Sequence, residues 1–322
     1  MLLYSGINKM EGLVRRGILS LFLLSIVGLF IVVNNVEAQD IDLNKESITL
    51  SPAINKPTTE PGAIISDKLT ILNTGSLEYR FLLYARPYSV KQETYDPNYT
   101  EVNDRTEAYQ WVQFEKTDIV LKAGERIVVP YTIKVPSNAQ SGGHYAVLFA
   151  ETQPKLIEGT QVARKKRVGS LVYLTVDGDI NKSGSMVDWD VPLWQTKRPI
   201  TGQVRIKNDG NVHFQANSTI KFKNIFGKTV LTHNQEHIIL PGTTRRISST
   251  LERSLPVGIY KASGGVDFLE KNNQLTSKWI VLLPIPAILG LLGLAILFIL
   301  YKLYGRYKKR RRGVKITHRG KK

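Results

Sequence analysis

The sequence predicts an all-β fold, two tandem immunoglobulin-like β-sandwiches, followed by one C-terminal transmembrane helix. Three observations predict it. Between Gln39 and Lys278 short runs alternate apolar and polar residues, and no long segment there has helical periodicity. One series of strand and turn signals occurs twice. A stretch without charge, Trp279 to Tyr301, then runs straight into a basic tail.

Residues 1–38 read as a secretory signal peptide. Lys9, Arg15 and Arg16 form the charged region and Ile18 to Val33 the apolar one. Val36-Glu37-Ala38 is a small-x-small-like site for cleavage between Ala38 and Gln39. Met10 makes a tighter start to this leader than Met1. An uncleaved leader gives the same topology, because both basic flanks stay inside.

Residues 39–184 read as sandwich one. Val129, Tyr131, Ile133 and Val135 alternate with Pro130, Thr132 and Lys134, the period of a half-buried strand. Pro130 has no N–H to give a ladder, which places that strand at an edge or bulge. Gly142-Gly143 leads into Tyr145, Val147 and Phe149, and Leu171 to Val176 ends at Asp177-Gly178-Asp179. Residues 185–277 read as sandwich two because they repeat this order. Lys68 to Gly75 is echoed by Gln203 to Gly210, Leu77 by Val212 and Tyr79 by Phe214; Leu121 to Gly124 is echoed by Leu240 to Gly242. Gly143-His144-Tyr145 after Pro136 is echoed by Gly258-Ile259-Tyr260 after Pro256. Asn73-x-Gly75 and Asn208-x-Gly210 close matching strands with residues that tolerate positive φ. Tyr145 and Tyr260 stand where such sandwiches keep a tyrosine corner, but the cysteine pair of true immunoglobulin domains is missing. The offset between the copies shrinks along the chain, so sandwich one holds extra sequence, placed at Pro87 to Trp111.

Residues 279–301 read as the membrane helix, long enough at 1.5 Å per residue to cross a core of about 30 Å. Trp279 and Tyr301 bracket it, and Pro284 and Pro286 fall in its first turns, where missing donors cost least. The tail, 302–322, contains Lys308, Lys309, Arg310, Arg311 and Arg312, which hold it in the cytoplasm and leave the preceding body outside. Almost no linker precedes the span, so sandwich two is expected near the bilayer, with sandwich one turned to the wall or a partner. Ala287, Gly290 and Gly293 put small residues on the helix without the G-x-x-x-G spacing of close pairing.

The formal net charge of +17 would suggest nucleic acid, but its distribution argues against that. The tail from Tyr301 carries eleven Lys and Arg and no acid, which leaves the body only mildly basic. Cysteine is absent, so an exported body must rest on its hydrophobic cores rather than on disulfides.

With its signal peptide, repeated sandwich, single helix and basic tail, the chain resembles the bacterial WxL-interacting surface proteins. The likeness is nearest at Asn73-x-Gly75, the Leu121 to Pro136 strand pair and Gly142-Gly143-His144-Tyr145. It implies an immunoglobulin-like peptidoglycan-binding domain, a second sandwich called the host-binding domain, wall attachment and a protein partner at the cell surface. It transfers no contact residues.

Candidate chemistry is sparse. His233-Asn234-Gln235-Glu236-His237 spells H-x-x-E-H, a zinc-peptidase pattern that needs a helix to bring both histidines and the glutamate to one face. Here the flanks read as strand and turn, which turns Glu236 away. Asp177, Asp179 and Asn181 resemble the start of a calcium loop, but Lys182 stands where Gly is required. His144 reads as structural. No nucleophile elbow, phosphate-binding glycine loop or cysteine nucleophile is present, so neither enzyme nor cofactor is expected and no metal. Two surface features remain. Tyr88, Tyr95, Tyr99, Tyr109 and Trp111 lie among acidic residues in the 87–111 insertion, a composition suited to stacking on sugars or anchoring a protein; packing of those rings on the sandwich is the alternative. Arg164-Lys165-Lys166-Arg167 joins two strands and suits anionic wall polymers or a solvated loop. The expected function is a non-enzymatic, single-pass surface protein of the cell membrane, attached to cell wall or a surface partner. The alternative is an accessory subunit of a membrane secretion, pilus or transport assembly that uses a sandwich edge.

Overall fold

The computed structural model describes residues 47–153, 165–196, 201–250 and 255–314, all within one compact unit, Glu46–Lys322. The leader with Ala38 and Gln39, Arg164, the tail beyond Val314 and the side chains of Lys308, Lys309, Arg310, Arg311 and Arg312 lie outside the described residues.

Sandwich one opens with β1 (Ile48–Ser51), β2 (Ile54–Asn55) and β3 (Thr58–Thr59), then β4 (Ile64–Asn73) and β5 (Tyr79–Pro87). The insertion supplies a small hairpin, β6 (Ser89–Val90) with β7 (Pro97–Asn98), and a 3₁₀ turn, Glu107–Trp111. After it come β8 (Val112–Phe114), β9 (Asp118–Leu121), β10 (Arg126–Lys134), β11 (Gly142–Thr152) and β12 (Arg167–Val176). One sheet runs β1-β4-β10-β8 and the facing sheet β2-β12-β11-β5-β9, with β3 also beside β12. Sandwich two comprises β13 (Gly184–Asp190), β14 (Trp194–Gln195), β15 (Thr201–Asn208) and β16 (Phe214–Asn224), followed by β17 (Thr229–Ile239), β18 (Thr244–Thr250), β19 (Gly258–Phe268) and β20 (Lys271–Leu282). Its sheets run β13-β15-β18 and β14-β20-β19-β16-β17. Each sandwich buries its own apolar core, with Phe81 and Leu69 fully enclosed in the first and Phe222 and Ile206 in the second.

The repeat is explained by two buried asparagines. Asn73 ends β4 with its side-chain amide donating to the carbonyls of Leu77, Leu121 and Lys122 at 2.8, 3.0 and 3.1 Å. Asn208 ends β15 and donates in the same way to Val212 and Ile239, both at 2.9 Å. In each copy the Oδ1 accepts the N–H two residues on, from Gly75 and Gly210. This is an Asx turn, so no positive φ is used at Asn73, Gly75, Asn208 or Gly210. The left-handed residues are instead Gly124 (φ +75°) and Gly242 (φ +66°), whose N–H groups return to the carbonyls of Asn73 and Asn208. Gly210 is glycine because a Cβ there would strike the carbonyl of Asn181.

Three further expectations change. Tyr260 makes the corner bond of sandwich two, its hydroxyl donating to Pro256 O at 2.8 Å. In sandwich one the same bond is made by His144, whose Nε2 meets Gln140 O at 2.7 Å, and not by Tyr145. Gly142 matches Gly258, so the equivalent of Tyr260 is one residue earlier than the Gly-x-Tyr echo suggested. A one-residue slip along a strand puts a side chain on the opposite face, and Tyr145 points out of the core. Second, β10 is an inner strand, paired with β4 along its whole length and with β8 at Tyr131, Thr132 and Ile133. Pro130 is tolerated because it sits just past that short ladder, where only its carbonyl is used, by Glu115 N–H at 3.0 Å.

The third change concerns the membrane-proximal end. Trp279 to Leu282 belong to β20, so Trp279 is a strand residue and the second sandwich extends past Ser277, while Gly184 opens β13. The helix α1 runs Ile285–Val314. Ile280 and Leu282 are apolar because they fill the sandwich core, and the residues after Pro284 because they are helix surface. An unbroken apolar run hides the change of period, and Pro284 marks it. Ile285–Tyr307 is long and apolar enough to cross a bilayer.

Candidate functional site

The insertion after β5 is held by both sandwiches. Its hairpin closes through a turn in which Glu93 and Tyr95 adopt φ of +63° and +60°, a conformation that L residues rarely take. The turn keeps it because its backbone pairs with β18: Glu93 N–H donates to Thr244 O at 2.7 Å and Arg246 N–H to Glu93 O at 3.0 Å. The Glu93 carboxylate lies between Arg246 and Arg205, and the hydrogen bond from Arg246 above all holds its pKa below the usual carboxylate value. Gln92 adds bonds to Gly242 O (3.2 Å) and from Thr244 N–H (2.8 Å). Among the described residues no strand stands beside β18 in the position that β8 occupies beside β10, and this turn occupies the start of that edge.

A cluster of rings lies between the sandwiches. Tyr145, Val147, Phe149 and Tyr173, on the outer face of β11 and β12, pack with Tyr88 and with Leu240 of sandwich two. The Tyr145 hydroxyl accepts from His213 N–H at 3.1 Å and meets His213 Nδ1 at 3.2 Å. Burial pushes the Tyr145 and Tyr173 phenols up and lowers His213 to about 4. Gly143 N–H donates to Asn211 O at 2.8 Å, and a Cβ at Gly142 would run into that carbonyl.

The five aromatic candidates therefore divide. Tyr88 and Trp111 are buried, Tyr88 stacked on Tyr173 with centroids 5.9 Å apart and Trp111 4.9 Å from the His144 ring. The Tyr95 hydroxyl accepts from Leu240 N–H at 2.8 Å and meets Thr243 Oγ1 at 2.5 Å, and the Arg245 guanidinium lies 4.3 Å above its ring. These three hold the insertion down and are not free to stack on a ligand. Tyr99 and Tyr109 line a surface cleft of about 450 Å³ with Arg86, Asn98, Thr100 and Arg167. Arg167 spreads over the Phe149 and Tyr99 rings, 4.8 and 5.5 Å from their centroids, and Arg86 over Tyr84 at 5.5 Å. Two guanidiniums held over aromatic rings beside an amide can grip a carboxylate or phosphate while a phenol packs against a sugar face. Arg86 was missed in the sequence reading; its signal was its place two residues after Tyr84 on the face of β5 that carries the cleft.

The other candidates sit apart. His233 and His237 share the half-buried face of β17, while Glu236 points outward and accepts from Gln215 at 3.2 Å. Burial first, and then the charges of Arg245 and His233, lower His237 to about 4. Asp177 and Asp179 are exposed in the turn between sandwiches, where Asn211 donates to Asp179 O at 2.7 Å and Asn181 N–H to Asn211 Oδ1 at 2.8 Å. Of the basic run, Lys165 pairs with Glu151 at 3.5 Å and Arg167 opens β12.

The chain matches no family model and no curated protein. Among solved structures it is similar to the CsuC–CsuE chaperone–tip subunit pre-assembly complex of Acinetobacter baumannii Csu pili, at 14% identity and TM-score 0.38, covering 73% of this chain and 98% of that one. It is similar also to the Salmonella enterica SafA pilin–SafB chaperone complex, at 8% identity and TM-score 0.38 over 74% and 97% of the two chains. A PapD-like domain of human CEP192 matches at 17% identity and TM-score 0.31, over 45% of this chain and 95% of that one. Identities and scores this low transfer no ligand, partner or activity to the chain.

Proposed function

We propose that the chain is a single-pass, non-enzymatic surface protein of a bacterial cell membrane. Sandwich one carries its ligand site, and α1 anchors it with the body outside and the tail inside. The observation that carries the reading is the cleft beside the insertion, where Tyr99, Tyr109, Arg86, Arg167 and Asn98 meet. Its mixture of phenol faces, guanidiniums and an amide suits a charged glycan, and cell wall is the ligand this reading favours. The resemblance to WxL-interacting surface proteins supports the same assignment. The test is co-sedimentation of the full chain in detergent with insoluble peptidoglycan. Saturable binding weakened at least about tenfold, roughly 1.4 kcal/mol, by Tyr99→Ala with Arg86→Ala supports the cleft. Binding unchanged in that variant, or absent from the wild type, overturns it.

A second reading has an observation of its own. Among the described residues β17 pairs only with β16 along its eleven residues, which leaves a long sheet edge able to receive a partner's strand, as an assembly subunit requires.

A further inference from the structure

The charge-free part of α1, Ile285 to Tyr301, is about 25 Å long at 1.5 Å per residue, short of a hydrocarbon core of about 30 Å. Extension past Tyr301 brings in Lys302 and Arg306, which must snorkel. A short span draws its flanking residues into the bilayer interface. On the outer side that flank is the sandwich itself. Only Leu283 and Pro284 separate β20 from α1, so the last strand residue lies at most about 10 Å of chain from the helix.

The sheet end at that junction is apolar on its outer face. Trp194 pairs with Val281 and Val281 with Ile259, so the three share one face on adjacent strands. Trp194 is 64% exposed and Ile259 48%. The next row on that face, away from the helix, is Trp279, Lys261 and Lys223, with the Lys261 ammonium 5.7 Å from the Trp279 ring centroid. Past the same end, the β16–β17 turn holds Ile225 and Phe226, the latter 85% exposed. This tip is built: Asn224 Oδ1 accepts from both Phe226 and Lys228 N–H at 3.0 Å, and Gly227 takes φ of +78°.

We propose that this end of sandwich two is a lipid-binding surface, in contact with the bilayer that α1 crosses. Trp194, Phe226 and Ile259 enter the bilayer interface, and Trp279, Lys261 and Lys223 form a row at headgroup level. Apolar residues nearest the core with tryptophan and lysine just outside is the order that an interface selects. The proposal rests on the reading of α1 as a membrane span.

The chain has no cysteine, so single cysteines can carry a nitroxide. The full chain is reconstituted into phosphatidylcholine–phosphatidylglycerol vesicles as Phe226→Cys, as Leu294→Cys in α1 and as Lys271→Cys at the far end of the same sandwich. Label accessibility to oxygen is compared with that to a water-soluble nickel chelate. The oxygen-to-nickel ratio is expected to be at least about fivefold higher at 226 than at 271, and highest at 294, because oxygen concentrates in the bilayer region and the chelate is excluded from it. A label at 226 that matches 271 while 294 is immersed overturns the proposal and leaves the span intact. If 294 is also in water, the span reading fails and the proposal with it. A label at 226 shielded from both probes overturns it in favour of a second copy or a protein partner.

Discussion

The two sandwiches share a strand order but differ in what covers one sheet face. In sandwich one the central strand β11 is buried from Gly142 to Ala150 without a break. Ala146 and Leu148 fill the core on one side, while Tyr145, Val147 and Phe149 lie under the ring cluster on the other. Its counterpart β19 alternates at its start: Tyr260 and Ala262 are buried and Ile259 is exposed. The insertion and the neighbouring sandwich close the first face, and nothing among the described residues closes the second. One scaffold thus gives a protein–protein joint in one copy and an open apolar face, beside the helix, in the other.

The largest test of that equivalence is at the two asparagines. Asn73→Ala strands three carbonyls, of which that of Leu121 is buried, and Asn208→Ala strands two buried ones, so each is expected to cost about 3 kcal/mol in urea unfolding, and by similar amounts. Unequal losses would show that the shared corner does different duties in the two copies.

Acid should break the joint next. His213 belongs to sandwich two but is half-buried against Tyr145 and Tyr173, and its folded pKa of about 4 lies below the ordinary 6.5. The unfolded chain therefore takes up the proton first. Stability from this group is complete above the ordinary value and is lost as pH falls from 6.5 towards 4, by up to about 3 kcal/mol. Glu93, held below its usual value by Arg246, acts in the same direction at lower pH. Thermal unfolding should be flat between about pH 7 and 9 and fall below that range, and His213→Phe should flatten the upper part of the fall. A wild-type midpoint independent of pH between 7 and 4.5 would sink this reading.

The smallest effects come from single hydroxyls. Tyr95→Phe removes the bonds to Leu240 and Thr243, and Tyr260→Phe the one to Pro256, each about 1 kcal/mol. The first should also loosen the joint, seen as faster amide exchange at Leu240 and Thr244, whereas the second should leave exchange there unchanged.

Much of this was legible along the chain. The Asn-x-Gly echoes located both copies because a buried asparagine that satisfies several carbonyls has no substitute of equal reach. Its mechanism was misread, since an Asx turn and a left-handed turn favour the same residue types. Tyr145 was matched to Tyr260 by residue type, when a corner needs only a ring with a polar atom at the right reach, and His144 supplies one. Of the insertion's rings, Tyr88, Tyr95 and Trp111 proved structural, because composition records that aromatics are present but not which face of which sheet they meet.

The sequence by itself determined the repeated sandwich, the strand faces and an apolar segment at the C-terminal end. These follow from local periodicity and from residues whose chemistry acts within a few positions. Only the tertiary structure decided that Trp279 to Leu282 are strand, that β11 is covered on both faces and that Arg86 joins Arg167 beside Tyr99. Each depends on side chains far apart in the chain, and burial by a distant partner leaves no period in the sequence that is buried.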